Sequence, residues 1–83
     1  MSILEKAEAA VNGPRNVDYG HPRENIERIR ERWSQVLGMH LTAQQVCLMM
    51  IDLKCARLVN DPAHYDSWMD IAGYVRVMEM TSE

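Results

Sequence analysis

The sequence predicts a single all-α domain, four helices paired into helical hairpins and assembled from more than one copy of the chain. Three observations predict it. Apolar residues recur at helical spacing rather than alternating as they would in strands. Leu and Met are frequent and Phe is absent; unbranched side chains of this kind lose little rotamer freedom in a helix. The third helical segment is apolar around its whole circumference, which three short partner helices can hardly enclose. At 83 residues the chain forms one domain, 1–83, of a size at which folding buries only roughly 60% of the unfolded surface. The apolar face left over predicts a homo-oligomer, a dimer or larger.

The elements follow in order. A first helix runs from Ile3 to Val11, opened by a Ser2/Glu5 capping box and stopped by Asn12-Gly13-Pro14. A polar loop from Gly13 to His21 follows. Pro22 suits the first position of a second helix, whose Ile26, Ile29, Trp33, Val36 and Leu37 form one apolar stripe. Its opposite side carries Arg23, Glu24, Glu27, Arg28 and Arg30, with Glu24–Arg28 and Glu27–Arg30 at pairing distance along the helix, which reads as a solvated face. Gly38 ends this helix. Thr42 with Gln45 caps the third, Ala43 to Val59, and Asn60-Asp61-Pro62 breaks it. The fourth begins near Asp66, an N-cap residue type, and runs to about Met80. Trp68, Ile71, Ala72, Val75 and Met78 would make its buried face.

Composition excludes several classes of function. A net charge of -3 argues against sequence-independent DNA binding, which draws on a basic excess. A small phosphorylated ligand stays open, since it needs only a few cations. Cys47 and Cys55 lie about 12 Å apart along one helix axis, too far for a disulfide to each other. They read as buried free thiols of a reducing compartment. The N-terminus is amphipathic and acidic, unlike a signal peptide. The longest apolar run, Val46 to Ile51, cannot span a membrane. The expected location is therefore cytoplasmic, with no membrane partner. Ser2 and Ser82 lie at the termini, Ser34 on the charged surface of the second helix and Ser67 in the first turn of the fourth, which makes no triad pattern, and His21, His40 and His64 lack zinc-site spacing.

Two groups of residues can carry chemistry. Lys54 and Arg57 project together from the third helix, and Asp66 and Asp70 from the start of the fourth. A short turn makes these helices an antiparallel hairpin, so two cations face two carboxylates. The group is either a structural ion-pair cluster that satisfies buried charge or half of a polar site in which Asp66 and Asp70 hold a hard cation such as Mg²⁺. The second group is the loop, where Arg15, Asp18, Tyr19 and His21 gather at a helix N-terminus that favours anions. It is either a ligand-closing loop or one packed on the core.

The strings DYGHPRENIERI, LMMIDLKCARL and HYDSWMDIAGYV resemble a family of small proteins from tailed phages and prophages, over nearly the whole chain. More distantly, the helix order is similar to the MazG-like all-α nucleoside triphosphate pyrophosphohydrolases. That resemblance implies an oligomer, a nucleotide ligand, and Mg²⁺ held by an E-x-x-E pair and an E-x-x-D pair. Asp70-Ile71-Ala72-Gly73-Tyr74 resembles the end of the second pair, but Ser67 stands where its first carboxylate belongs. Around the first pair stand Asp52, Lys54 and Arg57. Cations there weaken a Mg²⁺ site and suit phosphate instead. The resemblance thus implies a nucleotide-binding protein, whether or not it keeps pyrophosphohydrolase chemistry: Lys54 and Arg57 on phosphate, Asp66 and Asp70 on metal or orienting the cations, and Asp18, Tyr19 and His21 closing over the ligand. A non-enzymatic oligomer that binds a host protein or sequesters a signalling nucleotide is the alternative.

Overall fold

Local capping signals set the helix boundaries. The structure, a computed structural model, describes residues 1–13 and 20–81. Within them lie α1 (Ile3–Asn12), α2 (Pro22–Leu37), α3 (Ala43–Asn60) and α4 (Tyr65–Thr81), and no strand. Both capping boxes form. Ser2 Oγ accepts from Glu5 N while Glu5 accepts from Ser2 N, each at 3.1 Å, and Thr42 and Gln45 do the same for α3. Gly38 closes α2 in the left-handed region, φ 66°, where a side chain would be strained. The first four backbone amides of any helix lack partners within it, and at α2 the imidazole of His21 accepts from one of them, Arg23 N.

The start of α4 differs from expectation. Asp66 is not the cap: the helix begins one residue earlier, and His64 Nδ1 accepts from Ser67 N at 3.3 Å and lies 2.7 Å from Ser67 Oγ. Asp66 falls in the first turn, exposed, where its charge still suits the helix dipole. Trp68 Nε1 donates to Pro62 O and ties the α3–α4 turn to the helix it precedes.

α3 and α4 form the antiparallel hairpin, α1 packs along α4, and α2 lies more lightly across α3 and α4. The core joins Ile26 of α2, Leu41 before α3, Val46 and Cys47 of α3, and Val77 of α4. One packing expectation is corrected and another is made specific. α4 turns Ser67, Gly73, Val77 and Met80 inward, whereas Trp68 and Val75 are about half exposed. α4 is gripped from two sides, by α1 and by α3. Second, α3 is apolar all round but, as the sequence reading anticipated for one chain, only partly covered, and which residues stay outside is new: Leu48, Met49, Leu53 and Val59 are exposed, Val59 at 85%. Cys47 is buried as expected, but Cys55 lies on this open side. The end of the α2 stripe, Val36 and Leu37, is uncovered as well.

Candidate functional site

The expected hairpin pairing forms in part. Lys54 Nζ lies 3.0 Å from Asp70 Oδ2, with side chains 12% and 17% exposed. Arg30–Glu27 and Arg76–Glu79 are pairs within one helix; Lys54–Asp70 instead links α3 to α4, where burial leaves each charge little water and makes the other its main compensation. Arg57 and Asp66 are both exposed. The four residues therefore split into an inner pair and two surface charges.

Asp70 also faces a cleft of about 280 Å³ between α1, α4 and the start of α2. One stripe of α4, Asp70, Gly73, Tyr74 and Val77, forms one wall; Ala7, Ala10 and Val11 of α1 form another; Gly20, Pro22 and Asn25 bound it at α2. The walls are mainly apolar, with a carboxylate, an amide and a phenol among them. This is the usual makeup of a small-ligand site. Gly20 adopts φ 80°, a conformation that L side chains rarely take, and a methyl there would come within 3.1 Å of Arg28 Nη2. Gly73 is different: a methyl would meet Val11 at an ordinary 3.6 Å, so open space rather than strain is what glycine provides.

His21 sits beside the cleft mouth as the cap of α2. Asp18 and Tyr19 lie outside the described residues. Lys54 stands behind Asp70 and does not line the cleft, nor does Arg57. Of the cleft residues, sequence patterns single out only Asp70 as a site residue; Asn25, Gly73 and Tyr74 are among those missed. A glycine inside an amphipathic helix, costing roughly 1 kcal/mol relative to alanine, was the available signal.

Asp66 and Asp70 point to different surroundings, and among the described residues no three His, Cys, Asp or Glu side chains come together as metal ligands. Ser67, at the position of the missing carboxylate, is 1% exposed and bound to His64. Asp70 is engaged by Lys54. These residues do not offer Mg²⁺ a converging ligand set. No helix among the described residues is long and apolar enough to cross a membrane.

An all-helical domain with a small apolar cleft backed by a cross-helix ion pair is the class that this geometry defines. Residues 2–82 match the family described as Domain of unknown function (DUF6378), and the chain belongs to that family. It is 46% identical over 80 residues to the Gene 55 protein of Mycobacterium phage L5, covering 95% of this chain and 51% of that protein. To the Gene 55 protein of Mycobacterium phage D29 it is 40% identical over 82 residues, covering 99% and 54%. The chain thus spans about half the length of these relatives. No solved structure matches it at comparable significance.

Proposed function

We propose that this domain binds a nucleotide as part of a phage protein acting in the host cytoplasm, and that it binds without a metal site of its own. The observation that carries this is the cleft with Asp70 in its wall and Lys54 holding that carboxylate from behind. The apolar walls suit the flat face of a heterocycle. The phosphates would leave through the mouth at α2, near His21; Lys54 would act by holding Asp70 in the wall, and Arg57 and Asp66 would add surface charges at the hairpin end. Asp18 and Tyr19 would close over the ligand. The distant likeness to the MazG-like enzymes supports the nucleotide class, while the cations among their acidic positions favour binding over pyrophosphate release.

In this reading the working unit is a homo-oligomer in which a second copy covers the open face of α3. Leu48, Met49, Leu53 and Val59 are exposed on α3, and exposed apolar residues gathered on one helix suit an interaction surface.

A thermal-shift panel of nucleoside triphosphates, each with Mg²⁺ and with EDTA, tests the proposal. A ligand at one hundred times its Kd adds about 2.7 kcal/mol, which raises Tm by on the order of 10 °C in a domain of this size. The expected result is a shift that survives EDTA. No shift with any nucleotide would refute the proposal. Rapid Mg²⁺-dependent release of pyrophosphate, lost in Asp70→Asn, would make the domain an enzyme instead.

A further inference from the structure

We infer that the cleft selects its ligand by a base edge carrying adjacent N–H donors, with Asp70 as the acceptor, so that guanine is preferred. The inference rests on the nucleotide proposal and adds which base is taken.

Charge balance carries it. A lone carboxylate in a mainly apolar cleft would attract a cation. Here the charge of Asp70 is already matched by Lys54, 3.0 Å from Oδ2, so the wall presents acceptor lone pairs without a net charge. An ionised carboxylate accepts at about four positions. Lys54 meets one oxygen, Oδ2, which leaves acceptor positions on the carboxylate for a ligand in the cleft. The group that fits is therefore a neutral N–H donor, ahead of an ammonium or a metal ion.

Shape narrows the class further. Gly73, one turn after Asp70 on the same wall, leaves open the space that a side chain would fill, next to Val11 of α1. Met69, Pro22 and the Tyr74 ring supply apolar surfaces against which a flat ring can lie. A planar heterocycle resting there would turn an edge toward Asp70. Guanine presents N1–H and an exocyclic amine side by side on one edge, the spacing that a carboxylate accepts with both oxygens. Inosine's base keeps N1–H and lacks the amine. Xanthine puts a carbonyl where the amine would be, and uracil offers a single N–H between two carbonyls.

Isothermal titration with the 5′-monophosphates of guanosine, inosine, xanthosine and uridine tests this. Guanosine monophosphate should bind at least about tenfold more tightly than the other three, roughly the discrimination of one hydrogen bond to a charged group. In Asp70→Asn the carboxamide offers one acceptor and one donor, which matches xanthine. Affinity for the guanosine ligand should then fall at least about tenfold and the order of guanosine and xanthosine should invert. Gly73→Ala, which leaves the ion pair intact, should weaken guanosine monophosphate binding while circular dichroism stays helical. Should Asp70→Asn not fold, the wild-type base series and Gly73→Ala still decide. Equal affinity for all four monophosphates would overturn the base-edge inference and leave the nucleotide proposal standing. Binding by none of them, in a protein that does bind triphosphates, would also overturn it. Binding by no nucleotide at all would overturn both.

Discussion

Replacing Asp70 by Asn keeps the side-chain shape and removes the charge that Lys54 faces. An exposed ion pair contributes roughly 0–1 kcal/mol, whereas removing one member of a fully buried pair costs roughly 3–5 kcal/mol. The Lys54 and Asp70 side chains retain 12% and 17% exposure. Most of the desolvation is thus incurred, although the cleft still brings water to Asp70. Between those limits the loss comes to about 2 kcal/mol. With a urea m-value near 1 kcal/mol/M for a small domain, the unfolding midpoint should fall by about 2 M. The assay is urea denaturation followed by far-UV circular dichroism, at one protein concentration, for wild type, Asp70→Asn, Lys54→Met and the double variant. The double variant should recover part of the loss of Asp70→Asn, since methionine leaves no charge stranded. A single-variant loss below about 0.5 kcal/mol with strictly additive effects would place the pair with ordinary surface pairs and remove the basis for a desolvated acceptor in the cleft.

Three further outcomes are expected. Gly73→Ala should raise stability without ligand by up to about 1 kcal/mol, because alanine favours the helix and its methyl meets only ordinary contact at Val11; a loss above 1 kcal/mol in thermal unfolding would show that α1 packs on this glycine. Cys55 is exposed and Cys47 is 1% exposed, with burial pushing the Cys47 thiol up from its ordinary value, so a thiol reagent should label Cys55 first and Cys47 only on unfolding. If copies associate through α3, Cys55 labelling should also slow as protein concentration rises, with light scattering reporting a dimer or larger; a 9.6 kDa monomer labelled at a constant rate would refute that assembly. Finally, hydrogen bonds from the backbone and side chain of Ser2 hold the Glu5 carboxyl below its usual 4.5. A folded-state value below the unfolded one adds stability at neutral pH that is lost as pH falls through the carboxylate range. The gap in Tm between wild type and Glu5→Ala should therefore shrink from pH 7 to pH 3, and a gap independent of pH would refute the capping role of the carboxylate.

What could be read from the sequence alone was whatever is decided within a turn of the chain. The Ser2/Glu5 and Thr42/Gln45 boxes, Gly38 and the Asn60-Asp61-Pro62 break place helix ends through contacts three or four residues apart. The helical boundaries of α1, α2 and α3 accordingly match within a residue. The Lys54–Asp70 pair was legible too, because a short turn brings one end of α3 beside the start of α4. Which side of α4 faces inward was not legible. Its large apolar residues describe one face, but α1 and α3 approach along another, where Ser67 and Val77 are buried and Lys54 answers the charge of Asp70. Likewise, composition describes α3 as apolar all round without saying which apolar residues a single chain covers. The tertiary structure settles that by burying Val46, Cys47 and Leu58 and leaving Leu48, Cys55 and Val59 outside. The cleft belongs to the same class of fact: its walls bring the first two helices against the last, and no local pattern of residues records how helices meet in space.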